Sequence, residues 1–335
     1  MSSDKLIVVL GATGKQGASV VDTFLATPGW KVRAITRNPD KPSGRALAER
    51  GVEVVKADTN DVASLTAAFT GAHAIFAVTD FWAPFFDPAS QAKLAPGQTL
   101  NAYCMDVEVQ QAKNIFHAVL PVLAGLERFV FSTLPGGRKW SGGKYQWIYH
   151  FDGKQAAVDY LKESLPELAA KTSYVNLGLY LTNELEVPVM MPQKVAEGVY
   201  AITRVGSADT KYPFVATSQD TGAFVKAAVE LPPQSNLLAY SEMASWAEYV
   251  KTFEEVTGIS LHYQSVTIEQ IAAFLPQNNI GREAGEVNLF TEELGWHGGD
   301  PSMLFPEDLA KLGHPVKTTS LKEWMASQDW SNLKN

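Results

Sequence analysis

Two side chains in the segment Tyr149-His150-Phe151-Asp152-Gly153-Lys154 have the types and spacing for proton handling. His150 and Lys154 are four residues apart, so a helix carries them on one face, one turn from each other. An imidazole changes charge near neutrality and can give or take a proton, and an ammonium can hold oxygen atoms of a bound group. Tyr149 lies about 100° away around a regular helix. It precedes the expected first turn, however, and could swing inward as a further acid. The opposing reading is that Lys154 only binds and His150 only packs.

A second constellation binds rather than reacts. In LIVVLGATGKQGASVVDTFL (6–25), an apolar run stops at Gly11 and an amphipathic stretch follows. Gly11, Gly14 and Gly17 form GxxGxxG between a strand and a helix. The first glycine allows the sharp turn, the second lets the backbone approach a pyrophosphate, and the third lets helix and strand pack closely. Backbone N–H groups at the helix start then face the phosphates. Gly11, Thr13, Gly14, Lys15, Gln16 and Gly17 are therefore the candidates around a dinucleotide pyrophosphate. The next strand ends in Ile35-Thr36-Arg37-Asn38-Pro39, with Lys41 close behind. An NAD site usually has an acid there for the ribose 2′-OH. Arg37 instead points to the 2′-phosphate of NADP, through a charge-assisted contact, unless it is only a solvated surface residue. Asp58, beside Thr59 in KADTND, either accepts from the adenine amino group or caps the following helix.

These residues must be held by alternating elements. Strand-like runs at 5–10, 31–36, 52–57, 73–79, 128–133 and 172–178 alternate with helical patterns at 15–26, 44–50, 61–69, 103–123 and 152–164. The pattern predicts βαβ units, hence a doubly wound, Rossmann-type parallel sheet in an α/β protein. Thr79, Asp80 and Phe81 end the fourth strand and are placed in the cofactor cleft. Gly178, Leu179 and Tyr180 end the sixth and are placed by the nicotinamide. Ser132 and Thr133 end the fifth, where they either meet a ligand or satisfy the following turn. Two long loops (81–99 and 134–150) leave strand ends and are rich in aromatics. Trp82 and Phe85–Phe86 are either a substrate wall or a core closure. After residue 180 the alternation fails. Residues 1–180 are read as the NADP(H)-binding domain. Residues 181–335 are read as a smaller α/β substrate or partner lobe, partly threaded back into the first.

The 335 residues are 46% hydrophobic and carry a formal net charge of −8. An acidic balance without a basic stretch argues against direct nucleic-acid binding. No run reaches the roughly 18 apolar residues of a membrane span. The start shows no basic, apolar leader pattern. The single cysteine, Cys104, excludes an internal disulfide. A cytosolic or nucleocytoplasmic location is expected. Cys104 has no local His or basic partner and is read as a packing residue. The six histidines show no metal-ligand spacing.

Taken in order, the glycine turn, TRNPDK, GVEVVKADTND, GAHAIFAVTDFW, RFVFSTLPG and HFDGK resemble the NmrA-like family. Its members are atypical relatives of the extended short-chain dehydrogenase/reductases. TSQDTGAFVKAAVE (217–230) and EVTGISLHYQSV (255–266) resemble its C-terminal segments. The resemblance implies the same fold and NADP(H) binding. It leaves activity open between oxidoreductases and dinucleotide-sensing regulators. Typical short-chain dehydrogenases carry Tyr-x-x-x-Lys, with the Tyr as proton donor and the Lys on the nicotinamide ribose. Here His150 takes the Tyr position and Lys154 remains. HFDGK is similar to the segment of a redox-sensing family member, whereas isoflavone-reductase-like relatives work with a Lys and no Tyr. The expected function is NADP(H)-dependent hydride transfer to or from a small aromatic or polycyclic carbonyl or enone. The alternative is a non-catalytic NADP(H)/NADP⁺ sensor acting on a protein partner.

Overall fold

A computed structural model describes residues 4–188, 190–275 and 277–333. Residues 1–3, which belong to the leader expectation, lie outside the described residues.

The first half alternates as its hydrophobic periods require. In chain order it runs β1 (Lys5–Leu10), α1 (Lys15–Leu25), β2 (Trp30–Thr36), α2 (Pro42–Glu49), β3 (Glu53–Lys56), α3 (Val62–Phe69) and β4 (Ala74–Ala77). There follow α4 (Trp82–Phe85), α5 (Leu100–Val119), β5 (Arg128–Thr133), α6 (Gly137–Trp140), α7 (Tyr149–Ser164), α8 (Pro166–Ala169) and β6 (Thr172–Leu177). Boundaries differ from the periodic reading for local reasons. Pro42 opens α2 because its fixed φ suits the first helical turn. Asp61 stands before α3 as its cap, accepting from Ser64 N at 3.1 Å. Helix α7 begins at Tyr149, three residues earlier than its periodicity indicates.

The second half runs β7 (Leu179–Tyr180), α9 (Asn183–Glu186), β8 (Gln193–Ala196), β9 (Val199–Val205), β10 (Lys211–Val215), α10 (Thr217–Glu230) and β11 (Asn236–Ala239). It ends with β12 (Glu242–Ser245), α11 (Trp246–Thr257), β13 (Ser260–Val266), α12 (Ile268–Phe274), α13 (Ile280–Leu294), β14 (Met303–Leu304), α14 (Pro306–Lys311) and α15 (Leu321–Ala326).

Eight strands form one sheet in the order β14-β11-β6-β5-β4-β1-β2-β3, and every neighbouring pair is parallel. This is the doubly wound α/β sheet that the alternation predicts. Strands β5 and β6 are buried at every residue, because helices cover both faces of such a sheet. Two apolar clusters fill those faces. One gathers Val20, Phe24, Phe224, Val225 and Leu237. The other gathers Leu65, Phe116, Phe129, Phe131 and Leu161. Helix α10, from the second half, lies against α1, where Gly222 N donates to Ser19 Oγ at 2.9 Å. The remaining strands make two small sheets, β12-β10-β7 and β13-β9-β8. These pack with α11, α13 and α15 around Trp246, Tyr249, Phe253 and Trp324. Strand order reverses between β1 and β4, so the carboxyl ends of the strands open a crevice at that switch point.

Candidate functional site

That crevice is the mouth of a continuous cleft of about 1120 Å³. Its near wall is the glycine turn. Gly11 has φ +78°, in the left-handed region that a side chain disfavours, and Gly14 N donates back to Gly11 O at 2.9 Å. A Cβ on Gly17 would overlap the Gly11 carbonyl, so only glycine lets α1 start this close to β1. Gly14 caps α1 without a side-chain hydrogen bond, and the first turn holds no acid. The opening N–H groups and positive helix end therefore stay available to an anion, and a dinucleotide pyrophosphate fits this cradle.

Of the residues singled out by sequence for the cofactor, Gly11, Thr13, Gly14, Lys15, Gln16, Gly17, Arg37, Lys41, Asp58, Thr59, Thr79, Asp80, Phe81, Lys154, Gly178 and Tyr180 all line this cleft. Arg37 and Lys41 are exposed at its rim and form no ion pair among the described residues. Asp58 is not the cap of α3, because Asp61 takes that place. Asp58 Oδ1 instead accepts from Asn60 N at 2.8 Å and Asn60 Nδ2 at 2.9 Å. Lys15 reaches across to an ion pair with Glu186 on α9. Gln16 Nε2 donates to Tyr180 Oη at 2.5 Å, and burial pushes the Tyr180 phenol up to about 12. Asp80 Oδ1 accepts from Trp82 N at 3.0 Å and Ala83 N at 3.2 Å, which fixes the start of α4.

The proton-handling pair sits where the cleft turns into the second half of the chain. His150 and Lys154 both line it, along with Ser132 and Thr133. Tyr149 does not. Its ring packs edge-on against Trp147 at 5.7 Å and lies under the Arg138 guanidinium at 5.9 Å. As the first residue of α7, it follows the helical 100° turn away from His150.

Each member of the pair is held by a buried carboxylate. Lys154 Nζ forms an ion pair with Glu108 of α5, which is fully buried. It also approaches Thr79 O and Oγ1 at 3.3 Å each, while Thr79 Oγ1 donates to Glu108 Oε1 at 2.8 Å. Gly153 makes this reach possible, since a Cβ there would press to 2.9 Å from Glu108 Oε2 and hold α7 off α5. His150 is held from α13. Glu283 Oε1 accepts from His150 N at 3.0 Å and lies 2.5 Å from His150 Nδ1. Its Oε2 accepts from Asn101 Nδ2 at 2.5 Å. One turn on, Glu286 Oε2 accepts from Gln146 N and Trp147 N, both at 2.7 Å. Two carboxylates of α13 thus satisfy donors at and before the start of α7, which explains its early beginning. Asp152 anchors the preceding loop by accepting from Arg138 N at 3.0 Å. Burial pushes its carboxyl up, against the lowering by Arg138.

Trp82, Phe86, Ile271, Leu275, Ile280 and Trp296 give the cleft apolar walls on this side, interrupted by Asn183, Thr203, Arg204 and Asn288. The His150 ring lies 5.1 Å from Trp82 and 5.9 Å from Phe81. Sequence reasoning did not reach Glu108 and Glu283 as partners of this pair. The only local signal was a carboxylate within the apolar face of each helix. Among the described residues no cluster of His, Cys, Asp or Glu could hold a metal. No described helix is long and apolar enough to cross a membrane.

The chain is 30% identical over 276 residues to the NmrA-like family domain-containing oxidoreductase FrzB of Cladobotryum sp, spanning 78% of this chain and 76% of that one. It is 28% identical to the NmrA-like family domain-containing oxidoreductase lnaB of Aspergillus flavus, spanning 98% and 99%. In fold it is similar to NmrA, a negative transcriptional regulator solved in complex with NADP. The TM-score is 0.68 at 16% identity, over 97% of this chain and 95% of that one. It is also similar to an NADPH-dependent quinone oxidoreductase from Escherichia coli solved with NADPH, with a TM-score of 0.62 at 20% identity over 98% and 100%. The model of the NmrA-like family matches residues 3–325, and the chain belongs to that family.

Proposed function

We propose that this protein is an NADP(H)-dependent oxidoreductase acting on a small, apolar, ring-bearing carbonyl or its alcohol. The observation that carries the reading is the continuity of one cleft. It runs from an open glycine cradle, past Lys154 and His150, into an aromatic chamber. The turn at Gly11–Gly17 and the start of α1 hold the pyrophosphate. Arg37 and Lys41 meet the 2′-phosphate, and Lys154 holds the nicotinamide ribose. When bound, the dinucleotide supplies the hydride-transfer chemistry. The chain's own contribution is to orient the substrate between Trp82, Phe86 and Trp296, to exclude water there, and to exchange a proton at His150. The curated relatives are named as oxidoreductases, which supports this class.

A second reading, a non-catalytic NADP(H)/NADP⁺ sensor acting on a protein partner, draws support from the ion pair between Lys15 and Glu186, which links the cradle to α9. A phosphate at the cradle would compete with Glu186 for Lys15 and so act on α9 in either redox state, so redox sensing also needs a difference in affinity between NADPH and NADP⁺. Calorimetric titration with NADPH, NADP⁺, NADH and NAD⁺ separates the readings. Tight binding of the phosphorylated pair is expected. Arg37→Ala should cost NADPH about 10- to 100-fold, the worth of a charge-assisted contact of roughly 1.5–3 kcal/mol, and leave NADH unchanged. Equal affinity for NADH and NADPH in the unaltered protein would refute the 2′-phosphate assignment. A large gap between NADPH and NADP⁺ would move the balance to the sensor.

A further inference from the structure

We infer that Glu283 and His150 form a dyad in which Glu283, as a positioning residue, fixes the imidazole so that Nε2 meets the oxygen of a carbinol/carbonyl substrate. The inference rests on the oxidoreductase reading above and narrows it. The substrate is an alcohol or ketone whose oxygen sits on His150, rather than a compound reduced at an isolated carbon–carbon double bond.

Glu283 is fully buried and its carboxylate has three partners in fixed directions: His150 N, His150 Nδ1 and Asn101 Nδ2. A carboxylate only accepts, so a neutral His150 must carry its proton on Nδ1 to satisfy that contact. Nε2 is then a bare acceptor. It makes no hydrogen bond among the described residues, and His150 lines the cleft beside Trp82 and Phe81. What such a nitrogen recognises in an apolar chamber is a hydroxyl. In the oxidative direction the substrate O–H proton passes to Nε2, and the carbinol C–H leaves as hydride to the oxidised dinucleotide. The carbon–oxygen bond becomes double and the imidazole becomes imidazolium. In reduction the imidazolium returns that proton to the oxygen as hydride arrives at carbon. Glu283 lies against the other side of the ring and compensates the transient positive charge, while Asn101 keeps the carboxylate from rotating away. Because α13 carries Glu283 and α7 carries His150, the dyad also joins the substrate chamber to the helix that bears Lys154.

Glu283 also accepts from His150 N, so a purely structural role as a cap of α7 must be told apart. Nitrogen-15 NMR of histidine-labelled protein does this, with His150→Asn used for assignment. The dyad predicts that the neutral form of His150 is a single tautomer, with Nδ1 protonated and Nε2 bare. A neutral ring protonated on Nε2, or a mixture of the two neutral tautomers, would overturn it, because a cap needs only the backbone N–H. Glu283→Gln keeps an acceptor for the cap and removes the charge. With 2-acetonaphthone and NADPH it should lower kcat about 10- to 100-fold, within the range of acid–base contributions, with KM within about twofold. An unchanged kcat would reject the dyad. NADPH affinity measured on the same samples tests the underlying reading separately. Loss of NADPH binding in the unaltered protein would sink the oxidoreductase assignment, whereas normal binding with the wrong tautomer would sink only the dyad.

Discussion

The carboxylates that grip His150 and Lys154 also act on a third residue, Cys104. Its thiol is fully buried, and burial, then the charges of Glu283 and Glu108, push it from its ordinary 9.0 up to about 12. A thiol held this high stays protonated and unreactive at neutral pH. A disulfide reagent at pH 8 should therefore label Cys104 at least about 100 times more slowly in the native protein than in denaturant, as global opening would dictate. Rapid native labelling would show that this side of α5 is open. The linkage has a definite sign. The folded value lies above the unfolded one, so the contribution is intact below pH 9 and is lost as pH rises from 9 through about 12. Cys104→Ala lacks this loss, so the stability gap between it and the unaltered protein should narrow across that window in denaturant titrations. The absence of a basic neighbour around Cys104 was readable in the sequence. The contacts that organise the site were not, because Lys154 lies 46 residues from Glu108 and His150 lies 133 from Glu283. No local period reports such pairs. Even the close match HFDGK shows only that His150 and Lys154 share a face, and the reason for Gly153 appears only with α5 behind it.

Among the elements, the short helix α9 joins the two sides of the cleft. On its inner side Glu184 pairs with Arg204 of β9, both buried, at 2.8 Å. On its outer side Glu186 pairs with Lys15 at the start of α1, half in solvent. The inner pair is the anchor, since leaving one charge of a buried pair alone costs about 3–5 kcal/mol. The outer pair is a surface contact worth about 0–1 kcal/mol. If that contact competes with phosphate for Lys15, Glu186→Gln should leave the thermal midpoint almost unmoved. It should tighten NADPH by up to about fivefold, the equivalent of about 1 kcal/mol. Weaker binding in the variant would mean instead that Glu186 organises Lys15 for the cofactor. The elements on the glycine side were legible because their signals are local. A buried parallel strand reads as an apolar run, and GxxGxxG marks the turn after it. Helix α9 was not legible, since four residues carry no period and its role is set by Arg204 and Lys15 far along the chain. The same holds for the start of α7, where carboxylates from α13 replace the cap that the local sequence lacks.

At the scale of the whole molecule, the two halves of the chain share one sheet. Strand β6 is an interior strand because β11, from beyond residue 230, pairs along it from Tyr174 to Leu177. Helix α10 covers the same face as α1, and β14 extends the edge. A chain ending at residue 180 would keep the glycine turn, Arg37 and the His150–Lys154 pair. It would lose Phe224, Val225, Leu231, Leu237 and Leu309 from one core cluster. Burial of each such side chain is worth about 1.5–3 kcal/mol. Five of them rival the roughly 5–15 kcal/mol net stability of a typical domain. Removing α13 would also leave His150 without Glu283, and Gln146 and Trp147 without Glu286. The fragment 1–180 should therefore aggregate or show no cooperative unfolding, and should not bind NADPH, although every glycine of the cradle is present. The alternating pattern that makes 1–180 look self-sufficient reports which strands exist, not who their neighbours are. A soluble fragment with a sharp thermal transition and the NADPH affinity of the full chain would reverse this conclusion. It would make the first half an independent dinucleotide-binding unit, with the second half serving only the substrate chamber.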